Sequence, residues 1–185
     1  MKRYAIYLLL VILWLGLGPR LRAGDIEGSV STPALSDVVV FVENVPGTFP
    51  AGHAEVDQQN KMFTPYVLPV IQGTTIAFKN NDSLQHNVFG VGAEQFNLGS
   101  WNQGGSREHT FDKSGDVTVL CNVHPEMEGH ILVLQNPYFA RPDAQGRYRI
   151  ANLPPGNYVV RAWYRGKTKK QDVKVPASGS VPANF

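Results

Sequence analysis

Cys121, His124 and Met127 fall three residues apart in one CxxHxxM run, and His86 stands 35 residues upstream of the cysteine, just beyond the polar loop 80–84. A thiolate is a soft donor that favours Cu(I), an imidazole serves both oxidation states, and a thioether binds weakly. Together they leave a near-trigonal geometry that neither state fully prefers. One ion of copper held this way changes shape little when it gains or loses an electron. Glu126 and His130 compete with Met127 for the fourth position, and a hard fourth donor such as His130 would favour tetrahedral zinc. Cys121 is the only cysteine, so an internal disulfide is excluded; packing, an intermolecular bond and nucleophilic chemistry are its other readings. For a thiol nucleophile, His86 or His124 could serve as base, but no thiol-enzyme signature or oxyanion-forming glycine loop accompanies them. Gly90, Gly92, Gly104 and Gly105 are turn glycines without a following helix, so they make no phosphate cradle.

These donors need elements to carry them. Beyond Gly24 no amphipathic helix is readable; short runs rich in Val, Ile, Phe and Tyr alternate with Gly, Pro, Asn and Asp clusters. The pattern predicts an all-β protein with strands over 25–30, 38–43, 67–70, 74–79, 107–111, 116–121, 130–134, 148–151, 158–164 and 171–175. Val117 and Val119 share parity with Cys121, which carries the thiol inward at a strand end, and the next loop brings round His124 and Met127. With His86 on a different strand, a bound ion would clamp two parts of the sandwich.

The stretch from about Phe63 to Leu134 resembles a cupredoxin, a Greek-key β-sandwich, and within that family an amicyanin, whose ligand loop has the same compact CxxHxxM form. The run Gly73 to Asp82 is similar to the family's G-x-T-V-x-F/W-x-N strand, and His86, Asn87 and Val88 to its H-N-V ligand segment. The resemblance implies a type 1 (blue) site for one copper ion, with His86 and His124 bound through ring nitrogens, Cys121 through its thiolate and Met127 as the long axial ligand. It also implies that Asn87 supports the sulfur and ties the two ligand segments together, and that Pro125 stiffens the loop. The implied function is one-electron transfer without chemical change to a substrate, so no enzyme is expected. The edge of His124 would be the electron port, within an apolar patch of Pro125, Val123, Phe89 and Val91. A dehydrogenase as donor and a c-type cytochrome as acceptor are the implied partners. A periplasmic copper carrier or store without redox turnover would use the same ligands.

The flanks differ. Asp143 to Trp163 is similar to the carboxypeptidase regulatory-like, transthyretin-like sandwich, with its D-x-x-G-x-Y-x-I turn and L-P-P-G-x-Y run, and Asp25 to Val30 resembles that module's opening G-x-V strand. The expected organisation is a second, smaller β-sandwich built from 24–54 and 136–185 around a copper domain over 55–135, with a linear two-domain order as the alternative. Residues 1–23 read as a secretory signal, with Lys2 and Arg3 before an apolar stretch and a small-residue exit at Ala23 and Gly24. A periplasmic or otherwise extracytoplasmic location follows, with membrane contact only if that stretch is an uncleaved anchor. A formal charge of +2 implies no nucleic acid partner. The basic run Arg161, Arg165, Lys167, Lys169 and Lys170 is a solvated surface or a docking patch, and His53 and His109 are expected at the surface.

Overall fold

The computed structural model describes residues 23–185, and the leader read over 1–23 lies, but for its last residue, outside them. The described residues are all β apart from a 3-10 turn at Leu35–Asp37. In order the strands are β1 Gly24–Ser29, β2 Val38–Val42, β3 His53–Gln59, β4 Met62–Thr64, β5 Val67–Ile71, β6 Thr74–Asn80, β7 His86–Gly92 and β8 Phe96–Trp101. Then follow β9 Ser106–Phe111, β10 Gly115–Leu120, β11 Glu128–Leu134, β12 Phe139–Ala140, β13 Arg147–Leu153, β14 Gly156–Tyr164, β15 Lys167–Val175 and β16 Ser180–Pro182. Every strand expected from the sequence forms; β3, β4, β7, β8, β12 and β16 are additions. No helix among the described residues is long and apolar enough to cross a membrane.

Four sheets result. Two use only strands between 53 and 134, in the orders β4-β3-β6-β9 and β5-β11-β10-β7-β8; two use only strands from the flanks, β12-β2-β14-β15 and β13-β1-β16. The inner pair is a Greek-key sandwich in which β3 runs parallel to β6, and β5 parallel to β11. Pro69 sits in β5, an edge strand, where a missing N–H costs the ladder least. Alternation sets each face: Thr74, Ile76, Phe78 and Asn80 of β6 point inward and their neighbours do not.

Apolar layers lie between the sheets, and strand composition shows which sheets are covered twice. Ile131 and Val133 of β11 join the core of the inner sandwich, with Phe78, Phe111 and Val117, while Leu132 and Leu134 turn the other way. There they meet Val39 of β2 and Trp163 of β14, and this cluster joins the two sandwiches. Val38, Val40 and Val42 face the outer core with Ile26, Ile150 and Val160. The unbroken apolar runs of β2 and β11 are therefore strands buried on both faces. Trp163 Nε1 crosses the junction to donate to Asp116 Oδ2 at 3.0 Å, and within the flanks Asn136 Nδ2 donates to the Val42 carbonyl at 2.9 Å and Arg165 Nε to Asp37 Oδ2 at 2.7 Å.

Candidate metal centre

The inward parity of β10 continues past its last residue and buries Cys121, 2% exposed, in the core of the inner sandwich. β7 lies beside β10, so His86, at its start, comes level with the end of β10. The loop before it is shaped by Asn80, which is fully buried. Its Nδ2 donates to the carbonyls of Leu84 at 2.8 Å and Trp101 at 3.0 Å, and its Oδ1 accepts the Asp82 N–H at 2.9 Å. One amide side chain thus holds two backbone groups of the turn and ties it to the end of β8.

His86, Cys121 and His124 converge, each offering one ligand atom within 4.8 Å of the others. His86 Nδ1 lies 3.0 Å from His124 Nδ1 and 4.0 Å from Cys121 Sγ. Imidazole nitrogens bind borderline metals at about 2 Å, so two of them on one ion lie about 3 Å apart, which the present spacing matches. Soft sulfur beside two imidazoles in a dry pocket suits copper.

The three candidates for the fourth donor separate clearly. His130 has both nitrogens engaged, Nδ1 with Asp116 Oδ1 at 3.0 Å and Nε2 with Glu128 Oε1 at 3.2 Å, and it packs edge-on against Tyr66 and Trp163 at the sandwich junction. Glu126 is exposed and faces Lys61 Nζ at 3.8 Å. Met127 is buried in the same core cluster as Cys121, and its N–H closes the loop on the His124 carbonyl at 3.0 Å. Of the three, Met127 alone shares the core with Cys121, and His86, Cys121, His124 and Met127 together are the set typical of a type 1 copper site.

The sulfur is supported from the backbone. Asn87 N–H donates to Cys121 Sγ at 3.4 Å, tying the two ligand segments. The Asn87 side chain spans to the neighbouring strand β8, donating from Nδ2 to Asn97 Oδ1 at 3.0 Å and the Gly99 carbonyl at 2.8 Å. A hydrogen bond to a metal-binding sulfur tunes the ion's electronics wherever the donor originates.

Two further differences from the sequence reading concern position. Val91 pairs with Thr118, three residues down β10 from the cysteine, which sets it about 10 Å back from the ligand loop at some 3.3 Å per residue. Leu84, which the sequence did not single out, is exposed two residues before His86, and Val123 and Pro125 are exposed on either side of a partly exposed His124. His109 is not a free surface group: it stacks on Phe96 with ring centroids 3.9 Å apart and pairs with Glu94 Oε1 at 3.0 Å. His53 is exposed, as expected. Asp82 was also missed. Its Oδ2 lies 3.1 Å from His86 Nε2, and the Lys61 N–H and that ring hold its carboxyl below the usual carboxylate range.

No family model and no curated relative matches the sequence. Among solved structures, the chain is similar to a purple cupredoxin from Nitrosopumilus maritimus, with 26% identity over 43% of this chain and 98% of that one and a TM-score of 0.40. It is also similar to the copper-containing nitrite reductase of Thermus scotoductus SA-01, with 25% identity over 59% of this chain and 28% of that one and a TM-score of 0.44. A reduced Cu(I) form of an amicyanin variant matches with 21% identity over 51% of this chain and 97% of that one, at a TM-score of 0.41. The choice of metal follows from the donor set and not from these likenesses.

Proposed function

We propose that the chain is an exported type 1 copper protein that accepts one electron from one redox protein and delivers it to another. The observation that carries this reading is the buried convergence of Cys121 Sγ with the Nδ1 atoms of His86 and His124. Bound there, copper supplies a one-electron couple between Cu(II) and Cu(I). Cys121 and the two histidines would hold it, Met127 would add a weaker thioether donor, and the Asn87 N–H would stabilise the thiolate. A donor set this largely buried would let the geometry change little between oxidation states, so that little reorganisation opposes the electron.

A copper carrier or store would use the same ligands, but it needs them open to exchange. Here His86, Cys121 and Met127 are 0%, 2% and 1% exposed, which favours electron transfer. His124 alone reaches toward solvent, and Val123, Pro125 and Leu84 give its surroundings the apolar character of a transient docking face for redox proteins such as a c-type cytochrome or a dehydrogenase. The outer sandwich, read as a carboxypeptidase regulatory-like module, braces the copper sandwich through Trp163 and Val39.

Absorption and EPR spectra of the Cu(II)-loaded protein test the site. An intense charge-transfer band toward the red with a narrow copper hyperfine splitting, both lost on adding ascorbate, is the expected result. A pale tetragonal spectrum, or binding of zinc alone, overturns it. For export, N-terminal sequencing of the protein from the extracytoplasmic fraction should start near Gly24, whereas recovery only from the cytoplasm overturns that part.

A further inference from the structure

We infer that Asp82 is the positioning residue of this centre, its carboxylate fixing the tautomer of His86 and biasing a bound copper ion toward Cu(II). The tautomer is argued from the metal-free geometry; the bias rests on the copper reading above.

His86 is fully buried, so its ring must find both partners within the protein. Nδ1 faces His124 Nδ1 at 3.0 Å, and Nε2 faces Asp82 Oδ2 at 3.1 Å. An ionised carboxylate only accepts hydrogen bonds, so the proton of the neutral ring sits on Nε2 and the lone pair on Nδ1. That lone pair is the one aimed at Cys121 and His124. In the metal-free protein, His124 Nδ1–H then supplies the proton between the two rings, and binding a metal through Nδ1 would require the neutral ring to carry its proton on Nε2 instead. The two histidines are unequal: among the described residues no protein group holds the other nitrogen of His124.

Asp82 is itself built into place. The Lys61 N–H donates to the same Oδ2 at 2.9 Å, and the Asp82 N–H is taken by Asn80 Oδ1 at 2.9 Å and by the Gln58 carbonyl at 3.0 Å. Asn60 and Lys61 have φ of 54° and 55°, the two left-handed residues that a tight two-residue hairpin needs, and they join β3 to β4. A hairpin that contributes no metal donor thus presents an N–H to the carboxylate that orients one. The Asp82 side chain is 12% exposed, and its carboxylate stands 3.1 Å from the His86 ring. A carboxylate behind a ligating imidazole raises the ring's basicity, and its negative charge stabilises the more positive oxidation state of the metal.

Two measurements decide the matter. Ring 15N NMR of the metal-free wild type should show His86 protonated at Nε2 and bare at Nδ1; protonation at Nδ1 overturns the positioning role. In Asp82→Asn the amide oxygen still accepts from Lys61 and from the ring, so turn and tautomer persist while the charge is gone. The copper-loaded variant should keep its charge-transfer band and lose about tenfold of its preference for Cu(II) over Cu(I), a rise in potential of about 59 mV for one electron. An unchanged potential overturns the bias. A wild type lacking the thiolate band overturns the copper reading and the bias with it, while the metal-free measurement still decides the tautomer.

Discussion

The two sandwiches of this chain have similar apolar cores but unlike interiors. The outer core, from Ile26 to Ala183, is lined by aliphatic side chains and Tyr148, whose hydroxyl is satisfied by the Ala183 carbonyl at 2.7 Å. The flanks also bury Asp37 and Asn136, and the junction buries His130, whereas within the inner sandwich lie Gln58, Thr74, Asn80, His86 and Asn87. Burying polar groups costs stability unless each is partnered, so a β-sandwich that needs only to fold avoids it. Except for Thr74 at the opposite end of β6, these residues gather around the end of the inner sandwich where Cys121 emerges. The outer sandwich is organised for packing, and the inner one spends part of its core on holding donors.

The sharpest test of that contrast is Cys121→Ser, for which complete loss of the thiolate charge-transfer band is expected on titration with Cu(II). The fold should persist, because the hydroxyl replaces a small buried thiol that still has the Asn87 N–H as a partner. A variant that retained an intense band would show that the chemistry lies elsewhere and that the contrast between the two interiors is accidental.

Next in size is Trp163→Ala, in the layer that joins the sandwiches. It removes a 1%-exposed ring and strips Asp116 Oδ2 of its donor. Truncations of this kind cost about 3–5 kcal/mol, read as a lower denaturant midpoint of the metal-free protein. The copper spectrum of the folded fraction should not move. A shifted band would mean that the outer sandwich tunes the site rather than bracing it.

A smaller effect separates scaffold from donor within the inner sandwich. Asn80→Ala leaves the Leu84 and Trp101 carbonyls and the Asp82 N–H without their shared partner. A cost of about 1–3 kcal/mol is expected, together with weaker Cu(II) binding measured by competition with a chelator, because the loop that delivers His86 loosens. Unchanged metal affinity would show that β7 alone fixes the histidine.

What could be read from the sequence follows the same division. Strands with clear alternation or continuous β-branched runs, such as β6 and β2, announced themselves, and the CxxHxxM spacing located the loop donors. β7 did not, because Gly90 and Gly92 dilute its strand signal. Their absence of side chain serves packing: a Cβ on Gly90 would stand 2.3 Å from the Phe96 ring, and Gly92 has φ 111° against the Asp116 carbonyl. β3 was hidden by its polar residues, since only Ala54, Val56 and Gln58 of its seven face the core, and one of those three is itself polar. Asp82 looked like any aspartate of a polar turn. Its role depends on its approach to a histidine four residues later, and no local pattern encodes that approach.

The smallest predicted effect concerns His130, the histidine that the fold diverts from the metal to the junction. Burial alone would lower its pKa, but Asp116 on one nitrogen and Glu128 on the other outweigh burial and raise it above the ordinary 6.5. Both partners are carboxylates and can only accept, so the doubly protonated ring satisfies both. A group whose pKa is raised by folding contributes fully below its unfolded value, and the contribution is lost as pH rises through the folded one. Relative to His130→Gln, the wild type should therefore gain most stability in mildly acid solution, with the difference shrinking toward alkaline pH. Tyr66 and Trp163, which donate to the same two carboxylates, keep those acceptors occupied across that range and limit the size of the effect. Denaturation midpoints of the two proteins that ran parallel across pH would show that His130 is packed as a neutral ring and adds no charge to the junction.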